Sequence, residues 1–180
     1  MIVWVNGPFG AGKTTVVETL AELHPESMVF DPEEVGFMLR ALVPPAPTHD
    51  FQDLPIWRTL TAATAVEIVA EYGRPLLVPM TLVRRDYLDE IFGGLRAAGL
   101  PVRHFFLTLD DAVLRRRIRD QVFFPDDPQR EADVREWRLA QVSRCLAARA
   151  DMPENTTFLD SGTTEPHELA RQIAKHLPSS

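Results

Sequence analysis

The chain has 180 residues, with 26 acidic and 19 basic side chains and a formal charge of −7. That length fits a single domain, and 45% hydrophobic residues suffice to bury a core, which excludes global disorder. The negative balance excludes a general nucleic-acid binder, which needs net positive charge against phosphates.

Only two of the 19 cations are lysines, Lys13 and Lys175. The single cysteine, Cys145, excludes an internal disulfide and a thiolate zinc cluster and fits a reducing cytoplasm. The longest uncharged run, Met1 to Gly12, is shorter than the roughly 20 apolar residues of a bilayer span and lacks the basic start of a signal peptide. The chain therefore reads as soluble and cytoplasmic, with no integral membrane segment.

In chain order, Ile2 to Val5 is a short β-rich run stopped by Asn6-Gly7-Pro8. Helical spacing of Val16, Val17, Leu20 and Leu23 predicts a helix over 13–23. Met28 to Phe30 reads as a second strand, stopped by Asp31-Pro32. Glu33 to Val43 reads as a helix with Val35, Met38, Leu39 and Leu42 on one face. Pro44 to Pro55 holds four prolines and is too long for an ordinary connection, so it is expected to be a functional loop on the substrate side. A long helix follows over 56–72. Leu76-Leu77-Val78 is a buried strand, 86–98 a helix ended by Gly99, and 102–109 a strand. Asp110-Asp111 opens an arginine-rich helix reaching Gln121. The polar, Pro-interrupted stretch 123–133 reads as a loop, and 121–134 as a lid. A helix over 134–149, a last strand over 156–159 and a final helix ending near Leu177 complete the chain. Short continuous apolar strands separated by helices predict an α/β fold, a three-layer αβα sandwich with a five-stranded parallel sheet in one domain spanning 1–180. Such sheets bind ligands beyond the carboxyl ends of their strands.

Gly7-Pro8-Phe9-Gly10-Ala11-Gly12-Lys13-Thr14 fits GxxxxGK[ST] at every position, with a strand before it and a helix after it. The glycines at 7, 10 and 12, with Phe9 and Ala11, form a loop whose N–H groups can approach phosphates. The helix that follows aims its positive N-terminal end at the same point. Lys13 reaches the β- and γ-phosphates, the Thr14 hydroxyl ligates Mg²⁺, and Thr15 adds an α-phosphate contact. ATP and Mg²⁺ are the expected ligands.

The rest of the site is read from strand ends and helices. Asp31, after the second strand, either accepts a proton from an attacking hydroxyl or holds Mg²⁺; it also caps the next helix. Arg40 and Arg58 flank the Pro-rich loop, where arginines pair with phosphate or carboxylate. Of the arginines after the fourth strand, Arg117 and Arg119 are the candidates for the nucleotide. Arg130, Arg135 and Arg138 are available to the lid. Many P-loop enzymes carry an aspartate after the third strand; this strand ends Val78-Pro79-Met80-Thr81.

The loop Asn6 to Thr14, the run Asp31-Pro32-Glu33-Glu34-Val35-Gly36-Phe37, Asp50-Phe51-Gln52, Pro55-Ile56-Trp57-Arg58 and Val78-Pro79-Met80-Thr81 together resemble the ATP-binding tunicamycin-resistance proteins (TmrB-like). The resemblance implies a nucleoside-monophosphate-kinase-like fold, ATP binding, and action on a nucleoside antibiotic that carries sugars and a fatty acyl chain. Gln121 departs from it, standing where an arginine is expected. The reading that follows is a phosphotransferase. Lys13 neutralises the transferred phosphoryl and Asp31 orients or deprotonates a hydroxyl of a small molecule between Arg40, Phe51 and Arg58. The alternative is an ATP-gated protein that sequesters the same ligand without chemistry.

Overall fold

The computed structural model describes residues 1–177. Among them, five strands form one all-parallel sheet: β1 (Ile2–Asn6), β2 (Met28–Val29), β3 (Leu76–Pro79), β4 (Val102–Thr108) and β5 (Thr157–Asp160). Their order is β2-β3-β1-β4-β5. The described helices are α1 (Lys13–Leu23), α2 (Pro32–Leu42), α3 (Pro55–Tyr72), α4 (Arg85–Ala97), α5 (Asp111–Asp120), α6 (Pro128–Ala147) and α7 (Pro166–Ala174). This is the α/β fold expected from the alternation of apolar runs and amphipathic helices, with the P-loop kinase-like architecture that the resemblance implies.

Every residue of β1 is buried, because helices cover both faces of the sheet. Successive strand residues feed opposite cores. Ile2, Trp4, Leu76 and Val78 pack with Leu39, Trp57, Leu88 and Ile91 on one face. Val3, Val5, Leu77, Phe105 and Leu107 pack with Val17, Leu20, Ile118 and Ile173 on the other. All five strands run parallel, so their carboxyl ends gather Gly7, Asp31, Met80, Leu109 and Ser161 along one edge of the molecule.

Two elements differ from the sequence expectation. Helix α6 begins at Pro128, inside the stretch expected to be a loop. Asp127 caps it by accepting from Arg130 N at 3.1 Å, and proline at the first helical position lacks only a donor that no helix start uses. The Glu131 carboxylate then accepts from the N–H groups of Phe123 and Phe124 at 2.8 and 2.9 Å, folding the connector back onto the helix. The connector is thus 121–127. The Pro-rich segment also contains a 3₁₀ turn, Phe51–Asp53, capped by Asp50.

Candidate active site

Three glycines shape the phosphate loop. Gly7, Gly10 and Gly12 have φ of 143°, 83° and 94°. A Cβ on Gly7 would stand 2.9 Å from the Leu107 carbonyl oxygen, so the loop passes too close to β4 for any side chain. Gly12 begins α1 in the left-handed region, and no side chain caps the helix. The N–H groups of its first turn are left for a ligand. Lys13 turns its Nζ back onto the loop, donating to Gly7 O at 3.1 Å and Pro8 O at 2.8 Å. Burial pulls its amine down to about 8. A desolvated ammonium held by its own carbonyls, beside uncapped helix donors, is the charge pattern of an anion site.

The cavity in front of Lys13 has a volume of about 190 Å³. It is lined by Thr14, Thr15, Asp31, Glu33, Thr81, Gln121 and Arg138, among others. Asp31 accepts from Glu33 N at 2.9 Å and so caps α2 while its other oxygen stays available. Burial raises the Asp31 carboxyl above its ordinary range, and burial with the nearby Asp31 charge raises Glu33. Two carboxylates sharing one partly desolvated corner hold protons more tightly than either would alone. Glu33 is a cavity residue beyond the sequence expectation: it stands in the first turn of α2, directly after the cap, and that turn brings it to the cavity beside Asp31.

From the opposite wall comes Arg138 of α6. Its guanidinium lies 3.9 Å from the centroid of Phe123 and 5.8 Å from that of Phe9, and donates to Gln121 at 3.3 Å. Trp137 meets Phe9 edge-on at 5.0 Å. Helix α6 therefore packs on the phosphate loop through Phe9. Arg138 and Gln121 thus meet in the lining of the same cavity.

A second cavity, about 340 Å³, opens on the other side of the loop. Gly10, Gly12, Arg117, Asp120, Gln121 and the segment from Ser161 to Pro166 line it. Arg117 is fixed there by donating to Ser161 O at 2.8 Å. The two cavities share Gly10, Gly12 and Gln121 in their linings.

Residues 2–144 match the family described as an AAA domain. The chain belongs to this P-loop family. Its structure resembles that of the Deinococcus radiodurans tunicamycin resistance protein, with 30% identity, a TM-score of 0.70 and coverage of 97% of this chain and 94% of that one. That similarity shows common family membership. A sugar kinase from Janibacter (19% identity, TM-score 0.64, 97% and 92% coverage) and a gluconokinase from Sinorhizobium meliloti (16%, 0.59, 97% and 89%) share the fold. A search of curated proteins returns no match.

Within this P-loop family member, the expected site residues divide. Gly7, Phe9, Gly10, Ala11, Gly12, Lys13, Thr14, Thr15, Asp31 and Arg117 all lie at or around the loop and its two cavities. Arg119 does not; it is exposed on α5, two positions past Arg117 and so off its face. Arg58 is 8% exposed, donating from Nε to Glu90 and from Nη1 to Gln52 O at 2.7 Å, with Tyr87 stacked 4.1 Å away. It lines a separate hollow between α3 and α4 and acts as a strut for the 3₁₀ turn. Arg40 and Phe51 stack at 5.3 Å and line an apolar hollow of about 410 Å³ with Leu39, Val43, Pro44 and Leu54. Glu33 and Arg40 are seven residues apart, two helical turns on one face of α2, so this hollow lies roughly 10 Å along the helix from the carboxylates.

The residues fit a nucleotide with Mg²⁺. Uncapped donors and Lys13 suit the phosphates, and Thr14 shares its cavity with Asp31 and Glu33. Among the described residues no cluster of three or more His, Cys, Asp or Glu side chains is arranged to hold a metal alone. A magnesium ion here would rest on Thr14, one carboxylate and the nucleotide itself, which is its usual mode. No described helix is long and apolar enough to cross a membrane.

Proposed function

We propose that the protein is a cytoplasmic ATP-dependent phosphotransferase acting on a hydroxyl of a small molecule, a tunicamycin-like nucleoside or a sugar-containing compound. The observation that carries this reading is one cavity lined by two cations, Lys13 and Arg138, and two carboxylates, Asp31 and Glu33. Phosphoryl transfer demands positioning and charge neutralisation more than covalent chemistry. Lys13 leaves its loop carbonyls to neutralise the transferred group. Arg138 approaches from the lid side and closes the cavity to water. Mg²⁺, bound with the nucleotide, supplies further neutralisation at the β- and γ-phosphates. Asp31 and Glu33 orient the acceptor hydroxyl and one of them takes its proton; burial raises the proton affinity of both, which strengthens them as bases. Arg117 stands on the nucleotide side. Arg40 and Phe51 line the acceptor side, where an extended molecule would lie along α2.

Incubation with MgATP and tunicamycin, followed by mass spectrometry, tests the reading. A drug heavier by one phosphoryl group supports it, and loss of that product in Asp31→Asn or Glu33→Gln assigns the base. Sugars and nucleosides serve as further acceptors. The second reading, sequestration without transfer, is favoured by the end of β3, which brings Pro79, Met80 and Thr81 to the cavity and no carboxylate. Tight drug binding in MgATP with unchanged mass across all acceptors would establish it.

A further inference from the structure

We propose that Thr81 is a positioning residue for the phosphate loop: it holds the Gly7 carbonyl so that Lys13 can leave that carbonyl for a nucleotide phosphate without stranding it. The inference rests on the nucleotide-binding reading above. Its basis is a count of donors. The Gly7 oxygen accepts from Lys13 Nζ at 3.1 Å and from Thr81 Oγ1 at 2.9 Å, which fills both lone pairs. The Pro8 oxygen accepts from Lys13 Nζ at 2.8 Å and from Ala11 N at 3.2 Å. When Lys13 swings to a phosphate, each carbonyl loses one donor and keeps the other. At Pro8 the remaining donor is the loop itself. At Gly7 it is Thr81 alone among the hydrogen bonds formed there.

The setting makes that bond consequential. Gly7 is buried and Thr81 is 2% exposed, so water does not readily replace a lost donor. Thr81 also fixes which way the loop faces. Pulling the Gly7 carbonyl back toward β3 keeps the oxygen away from the phosphates.

Thr81 is also a joint. Its own carbonyl accepts from Gln52 Nε2 at 2.9 Å, and the Gln52 carbonyl accepts from Arg58 at 2.7 Å. The chain Arg58–Gln52–Thr81–Gly7 thus runs unbroken from α3, through the 3₁₀ turn of the acceptor-side loop, to the first glycine of the phosphate loop. Nucleotide binding that shifts Gly7 is felt in residues 44–55.

The test titrates wild type, Thr81→Val and Thr81→Ser with MgATP by calorimetry. Valine keeps the shape and removes the donor, so affinity should fall about tenfold, while serine should restore it to within about twofold. A second readout separates this role from general loosening. Hydrogen exchange in 44–55 should slow on adding MgATP in wild type and not in the valine variant. Unchanged affinity in Thr81→Val, failure of serine to restore it, or exchange in 44–55 that slows equally in wild type and the valine variant would each overturn the inference and leave the nucleotide reading intact. A wild-type chain that binds no nucleotide overturns both.

Discussion

Gly36 offers a sharp test of how the acceptor side is built. It lies on the buried face of α2, and a Cβ there would stand 2.7 Å from Cδ1 and Cγ and 2.9 Å from Cδ2 of Phe51. Those atoms are the root of the ring, so the whole ring must move. It has little room: Trp57 packs at 5.3 Å on one side and the Arg40 guanidinium at 5.3 Å on another. Two terms compete in Gly36→Ala. Alanine gains about 1 kcal/mol of helix propensity over glycine. Overpacking costs about 1–3 kcal/mol. The net expectation is a loss of about 1 kcal/mol. In a Phe51→Ala background the clash disappears and only the propensity remains, so the same substitution should stabilise by about 1 kcal/mol. The difference, about 2 kcal/mol, is the coupling between the two sites. Urea unfolding of the four proteins measures it directly. Equal effects of Gly36→Ala in both backgrounds would refute the argument, and so would stabilisation in the wild-type background.

Further outcomes concern the site itself. Burial lowers the Lys13 amine from 10.5 to about 8. Between those values the unfolded chain holds a proton that the folded chain has lost, so stability of the ligand-free protein should rise with pH through that window, and Lys13→Met should abolish the rise in unfolding experiments. MgATP affinity should fall over the same range as the ammonium is neutralised. Asp31→Asn should keep the helix cap and Asp31→Ala should lose about 1 kcal/mol of stability, measured by urea unfolding, while both impair transfer if Asp31 is the base. Arg138→Met should reduce phosphoryl transfer by about 10²–10³-fold in a coupled assay, with a smaller change in nucleotide affinity. Arg119→Ala should leave both stability and MgATP affinity nearly unchanged, within about 0.5 kcal/mol.

The sheet and the phosphate loop were legible because each is written in local signals. Buried parallel strands read as unbroken apolar runs, and the glycine spacing before Lys13 answers to one backbone path. Asp31 and Arg117 were legible because a strand end or a helix facing the loop places them. The start of α6 was obscured by its own composition: Asp127-Pro128 is a helix-opening pair, yet amid charged residues it passes for a loop. Glu33 and Arg138 depend on which way a helix is rotated about its axis, and that is decided by packing between elements distant in sequence. The same holds for Arg58, whose place beside the Pro-rich loop suggested a ligand. Glu90, 32 residues further on, claims it first. The Gln52–Thr81–Gly7 chain spans three separate segments, and no window of sequence contains it.

The edge-on contact between Phe9 and Trp137 has a practical consequence. Of the three tryptophans, Trp4 and Trp57 are wholly buried, whereas Trp137 is 47% exposed. The indole that responds to aqueous quenchers is therefore the one seated on the phosphate loop. Nature has left the protein with an optical gauge at its working end. Iodide quenching of the native emission would follow the engagement of α6 with the loop in real time, with no label attached.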